Sequence, residues 1–244
     1  MIADLIAKAR KLAGILAVPA WRRALLRHRV AAGVEHAGVL RNLGPVRTVV
    51  DIGANRGQFA LAARHCSPDA RILSFEPLAG PAALYRAVFA GDGTRLVEAA
   101  IGPAPGEATI HLSARDDSSS LLPITARQNA LFPGTAEAGT AIIQVTRLSD
   151  ALPAGEIAAP ALLKLDVQGF ELQALAGCED VLGRFAWVYV ECSFMELYAG
   201  QSLADEVIAW LRERGLRLMG VYHMAYDDRG RAVQADFLFG RDAV

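Results

Sequence analysis

The residues best equipped for chemistry sit in one turn, Asp51-Ile52-Gly53-Ala54-Asn55-Arg56-Gly57, at the end of the apolar run Val46–Ile52. Small residues here let the main chain turn sharply and approach a ligand closely, and in an open α/β sheet such strand ends face the ligand crevice. The spacing is Asp-x-Gly-x-Asn-x-Gly, not the Gly-x-Gly-x-x-Gly of dinucleotide sites. The Lys-Ser/Thr pair of a phosphate-binding loop is also missing, which disfavours a nucleoside triphosphate. Glu76, in Phe75-Glu76-Pro77, follows Asp51 by 25 residues and ends the next apolar run. A carboxylate there accepts hydrogen bonds from ribose hydroxyls. Asp51 suits a ligand carrying ammonium and sulfonium charges and opposes a pyrophosphate. The combination points to an adenosyl ligand without phosphates.

Three other titratable residues are placed at strand ends: Asp166, Glu191 and His223. Asp166 reads as a base, a substrate ligand or a metal ligand, with capping of the following helix as its alternative. Asp166 and Glu191 together can clamp a divalent ion or act as separate acceptors, so metal use stays open. His223 is the histidine best placed to be a base. His111 belongs to an inserted hairpin, and His28, His36 and His65 read as surface or packing residues. Asp117, Ser118 and Ser119 open a Ser-, Gly- and Thr-rich stretch, Ser113–Gly139, read mostly as loop. They can read acceptor hydroxyls, or simply form a solvated turn. Phe194, Tyr198, Tyr222 and Tyr226 offer either aromatic surfaces for a sugar or core packing.

These positions need a scaffold that gathers strand ends. Strands are expected over Val46–Ile52, Arg71–Phe75, Thr94–Ala100, Leu162–Asp166, Ala186–Glu191, Leu216–His223 and Ala232–Phe239. Helices are expected over Gly57–His65, Ala82–Phe89, Glu171–Leu182 and Leu203–Arg214, the last opened by Ser202 with Asp205 three positions on. Glu107–Leu112 and Ala141–Thr146 alternate and predict an inserted pair of strands. The pattern implies one doubly wound, mostly parallel seven-stranded sheet with helices on both faces, spanning residues 46–244.

The first 45 residues form a helical extension with a different character. Residues 1–30 carry seven Lys and Arg against Asp4 alone, in a chain of net charge −1. Ile2, Leu5, Ile6, Ala9, Leu12, Ala13 and Leu16 recur at helical spacing up to Pro19, giving a basic amphipathic helix. It can pack on its own domain or lie on an anionic membrane. The start resembles a weak signal peptide, but its apolar run is short and Trp21-Arg22-Arg23 follows directly. Three well-separated cysteines without metal spacing fit a reduced, cytoplasmic protein, and the basic helix is the feature that would hold it at the membrane's inner face. The near-neutral charge gives no nucleic-acid signature, and the oligomeric state is not legible.

Five blocks occurring in order, Val49–Gln58, Ser74–Pro77, Ala99–Gly102, Asp117–Ser120 and Leu163–Glu171, resemble the FkbM family of methyltransferases. The resemblance implies a class I, Rossmann-like methyltransferase fold and S-adenosyl-L-methionine as cofactor. It implies transfer of a methyl group to a hydroxyl of a sugar, polysaccharide, glycolipid or polyketide-type metabolite. Carried onto this chain, it assigns Asp51, Gly53, Ala54, Asn55 and Gly57 to the methionine part of the cofactor. Glu76 and Pro77 fall to the ribose, and Ala99–Ile101, with Ala100 at its centre, to the adenine border. Gln168 departs from the family, in which glutamate is common at this place, and the missing charge weakens a base or metal role there. The rival is a nicotinamide-dependent oxidoreductase, whose glycine spacing is lacking here; a binding module without turnover is the non-enzymatic alternative.

Overall fold

The computed structural model describes residues 2–241, with side chains described at position 9 and from 11 onward. Three helices come first: α1 (Ile2–Ala17), α2 (Pro19–His28) and α3 (Ala37–Leu43). Pro19 both ends α1 and opens α2, because its fixed φ and missing N–H suit only a first helical turn. Of the expected apolar stripe, Leu12 and Leu16 remain exposed, and α1 buries Ile15 instead. Ile2, Leu5 and Ile6 fall outside the described side chains. Trp21, Val30, Val39 and Leu40 are buried in one cluster with Val49, Phe59 and Leu162. The helical extension therefore packs into the core of the sheet that follows it.

The chain then runs β1 (Thr48–Ile52), α4 (Gln58–Cys66), β2 (Arg71–Phe75), α5 (Ala79–Val88) and β3 (Arg95–Val97). An insertion holds β4 (Ala100–Ile101), β5 (Gly106–Ser113), α6 (Ala126–Leu131) and β6 (Glu137–Thr146). After α7 (Leu148–Ala151) come β7 (Ala161–Leu165), α8 (Glu171–Ala176), α9 (Glu179–Leu182) and β8 (Trp187–Ser193). The last elements are α10 (Ala204–Glu213), β9 (Arg217–Tyr226) and β10 (Ala232–Gly240). The main sheet has the order β3-β2-β1-β7-β8-β10-β9. β10 runs antiparallel to both neighbours and the other pairs flanking β1 and β7 are parallel. Every residue of β1 and β7 is buried, as strands covered by helices on both faces must be. The order reverses beside β1, and a switch point of this kind opens a crevice beyond the strand ends. The seven-stranded, doubly wound, Rossmann-like sheet is thus the one the sequence predicts.

Five local expectations change. The single strand over Thr94–Ala100 divides at Glu98, and its end, β4, leaves the main sheet to join β5 and β6. Ser113–Gly139 is more ordered than a loop, with a 3-10 turn at Asp116–Ser118, α6, and the start of β6. The helix over Glu171–Leu182 breaks at Gly177, where a Cβ would stand 2.3 Å from the Gly102 carbonyl oxygen. β9 continues past His223 to Tyr226, so His223 lies inside a strand, at a left-handed φ of 50° among register shifts. The cap of α10 also moves by one residue: the Leu203 N–H donates to Glu206 rather than Ser202 pairing with Asp205. No helix among the described residues is long and apolar enough to cross a membrane.

Candidate active site

A cavity of about 570 Å³ opens beyond the carboxyl ends of β1, β2, β7 and β8, within the usual range for small-molecule sites. Gly53, Ala54 and Asn55 form one wall of it, and Glu76, Pro77 and Ala100 another. Gly53, at φ 76°, cannot be replaced without strain: a Cβ would lie 1.8 Å from the Asp166 carbonyl oxygen. That contact brings the ends of β1 and β7 together beneath the cavity. The Glu76 carboxylate accepts the Asn55 N–H at 2.9 Å and the Leu78 N–H at 2.8 Å. Burial pushes its pKa up to about 7, although both N–H groups favour the charged form. Each oxygen keeps a lone pair for a ligand hydroxyl. With Ala99 and Ile101 as apolar neighbours of Ala100, this wall fits an adenosine. A carboxylate anchored for two hydroxyls beside small apolar residues is the observation that carries the fit.

Two residues assigned to the cofactor lie elsewhere. Asp51 is fully buried in β1 and outside the cavity lining. Its side chain meets Lys164 of β7, with Nζ 3.1 Å from Oδ1. Lys164 also donates to the Gly53 carbonyl at 3.0 Å, so the pair holds the glycine turn from behind. Burial alone would lower the Lys164 pKa, but Asp51 and Asp166 outweigh it and keep the ammonium charged. Gly57 caps α4 in the left-handed region, and a Cβ there would meet the Phe89 ring at 2.5 Å. Its smallness serves packing against α5. Asp51 is covered by its β7 neighbour Lys164, and Gly57 faces α5, which keeps both out of the cavity lining.

The opposite side of the cavity is acidic and amide-rich. Asp166 and Glu191 both line it, together with Gln168 and Gln234. Gln168 Nε2 lies 2.7 Å from Asp166 Oδ1 and 3.3 Å from Glu191 Oε2, so an amide bridges the two acids. The Tyr198 hydroxyl meets Gln168 Oε1 at 2.6 Å, which fixes the amide's orientation. Gln234 Nε2 donates to Glu191 Oε1 at 2.7 Å. Enclosure lifts the Asp166 pKa against the opposing charge of Lys164, and burial beside Asp166 and Asp236 lifts that of Glu191 well above its ordinary value. No side chain caps the following helix, so Asp166 does not serve that role; the Glu171 carboxylate instead folds back to hold the turn before the helix, accepting the Val167 and Gly169 N–H groups.

Asp117, Ser118 and Ser119 all border the cavity. They are held there by neighbours. Ser120 donates to the Gln168 carbonyl at 2.6 Å, its backbone bridges His111, and Asp116 pairs with Arg56 of the glycine turn. Phe194, Tyr198, Tyr222 and Tyr226 do not line the cavity; Phe59, Phe132 and Phe170 do. His223 does not line it either, and lies behind His36, which does. Nothing in the sequence placed His36, Gln234 or Asp236 at a site. Lys164 carried a signal, a charged residue inside the buried run Leu162–Leu165.

Residues 51–218 match the family described as Methyltransferase FkbM domain, well over half of the chain. The chain belongs to this family of S-adenosylmethionine-dependent methyltransferases. It is 29% identical over 219 residues to the 31-O-demethyl-FK506 methyltransferase FkbM of Streptomyces tacrolimicus, covering 81% of this chain and 78% of that one. It is also 29% identical over 164 residues to the 2-O-methyltransferase NoeI of Sinorhizobium fredii, covering 64% of this chain and 68% of that one. Among solved structures, it is similar to cofactor-bound Rv0187 from MTB, with TM-score 0.48, 16% identity, and coverage of 91% and 89%. FkbM membership explains why the glycine turn, Glu76 and the Asp166 block occur together.

Proposed function

We propose that this S-adenosylmethionine-dependent O-methyltransferase acts on a hydroxyl of a sugar, polysaccharide or glycolipid. The observation that carries the reading is the wall opposite Glu76, where carboxylates, amides and the Ser118–Ser119 turn offer several convergent hydrogen-bond partners to a polyhydroxylated acceptor. S-adenosylmethionine, when bound, supplies an electrophilic methyl group on a sulfonium. Glu76 would hold its ribose, and Gly53–Asn55 the methionine end. Positioning carries most of the catalysis in a displacement of this kind. Asp166 would accept the acceptor's proton: it lines the cavity, Gln168 occupies its Oδ1, and its Oδ2 stands 3.9 Å from Lys164 Nζ. Asp166 would take up the proton that the acceptor hydroxyl loses on methylation. The relative named as a 31-O-demethyl-FK506 methyltransferase supports a second reading, a hydroxyl of a polyketide-type metabolite.

The segment preceding the sheet supports a site of action at an anionic membrane surface. Leu12, Leu16 and Leu26 are exposed there, beside the exposed Arg22, Arg23, Arg27 and Arg29. The deciding experiment titrates the protein with S-adenosylhomocysteine and NADH, then offers labelled cofactor to glycan, glycolipid and polyketide-type acceptors. Binding of S-adenosylhomocysteine and labelling of the glycan fraction are expected. Binding of NADH alone would remove the methyltransferase reading, and labelling confined to polyketide-type acceptors would remove the glycan one. Flotation on anionic but not zwitterionic vesicles checks the membrane contact; equal flotation on neither discards it.

A further inference from the structure

His36, His223 and Asp236 come from three separate parts of the chain and converge behind the acidic wall of the cavity. One ligand atom of each lies within 4.8 Å of the others. The distances centre on a single oxygen, Asp236 Oδ2: His223 Nδ1 is 2.7 Å away, the Tyr189 hydroxyl 2.9 Å and His36 Nδ1 3.7 Å. The same hydroxyl lies 3.2 Å from His36 Nδ1 and 3.3 Å from His223 Nδ1. The two imidazole rings meet edge to face, with centroids 5.3 Å apart.

We propose that His36, His223 and Asp236 form a binding site for a divalent transition-metal ion, with Tyr189 as its neighbouring hydroxyl. Two imidazoles and one carboxylate on one side of an ion leave its other positions open. Metal–ligand bonds of about 2.0–2.2 Å require donor atoms roughly 3 Å apart, and the observed spacings bracket that value. His36 and Asp236 are mostly covered and His223 is about one-third exposed, so the site is shaped yet reachable. Asp166 and Glu191 line the adjoining wall of the cavity, and Lys164, the buried cation on this face, is ion-paired to Asp51. His36, Glu191 and Gln234 border the cavity, so open positions on the ion are within reach of an acceptor's oxygens. Use of the ion in turnover rests on the methyl-transfer reading; its binding does not.

Binding is therefore measured without turnover. The full-length protein, stripped by a chelator and redialysed, is titrated with Co²⁺ and Mn²⁺, reading visible d–d absorption, loss of free Mn²⁺ resonance, and bound metal per chain. One ion per chain is expected, with affinity reduced at least tenfold in His36→Ala, His223→Ala and Asp236→Ala. His65→Ala should bind as the parent does. Circular dichroism identifies any variant that fails to fold, and Asp236→Asn then replaces Asp236→Ala. Absence of stoichiometric binding in the parent, or binding unchanged in all folded variants, would overturn the site and leave a hydrogen-bonded His-Asp-Tyr network. Failure of methyl transfer with intact metal binding would count against the functional reading alone.

Discussion

Because burial lifts the Glu76 carboxyl to about 7, this side chain is partly protonated near neutrality in the ligand-free protein. Ribose hydroxyls donate to a carboxylate, so binding favours the charged form and releases a proton. S-adenosylhomocysteine affinity should fall as pH drops through about 7, and Glu76→Gln should flatten that dependence. Calorimetry in buffers of different ionisation enthalpy reads both. Glu76→Ala should cost about 1–3 kcal/mol of cofactor binding, the penalty of unpaired hydroxyls; unchanged affinity would remove Glu76 from the site. Glu171 is also lifted by burial to about 7. For such a raised acid the stabilising contribution is complete below the unfolded value near 4.5 and is lost as pH rises through about 7. Glu171→Gln should therefore weaken the decline in ligand-free stability between these pH values, as chemical denaturation at pH 5 and 8 would show. At Gln168, a glutamate would set a third acid against Asp166 and Glu191. Gln168→Glu should lower thermal stability more at pH 8 than at pH 5; equal losses at both would mean the bridge is unimportant.

Among the elements, β1 and β7 matter most, because their paired ends shape the turn. The Asp51–Lys164 pair ties them where both residues are buried. Removing one partner strands the other charge, so Lys164→Met should destabilise the fold by about 3–5 kcal/mol. Asp51→Asn in the same chain should recover much of that loss, which urea titration of the single and double variants tests. The strand positions were legible from apolar runs and turn residues, and so was the turn itself. Which turn residues face the ligand was not. Asp51 and Gly57 look equivalent to Gly53 in sequence, yet one is covered by Lys164 and the other packs against Phe89. Likewise Ser113–Gly139 reads as loop because its polar residues show no period. Its order comes from partners distant in sequence, Tyr198, Gln168 and Arg56.

At the scale of the whole molecule, the N-terminal helices are part of the catalytic body. Trp21 is buried, and its indole N–H donates to the Leu61 carbonyl at 3.0 Å. Trp21→Ala should cost about 3–5 kcal/mol, measured by denaturant unfolding; a loss below about 1 kcal/mol would show that the extension packs loosely. His36 enters the cavity wall from this same segment, so the extension lines the cavity as well as filling the core.

By itself, the amino-acid sequence determined the order of strands and helices, the adenosyl-type turn and its family, since these depend on local periodicity and short motifs. Only the tertiary structure decided which acids share a wall, that Lys164 neutralises Asp51, and that His36 meets His223 and Asp236. Those contacts join residues far apart along the chain, and their geometry is set by sheet register and helix packing, which no local pattern encodes.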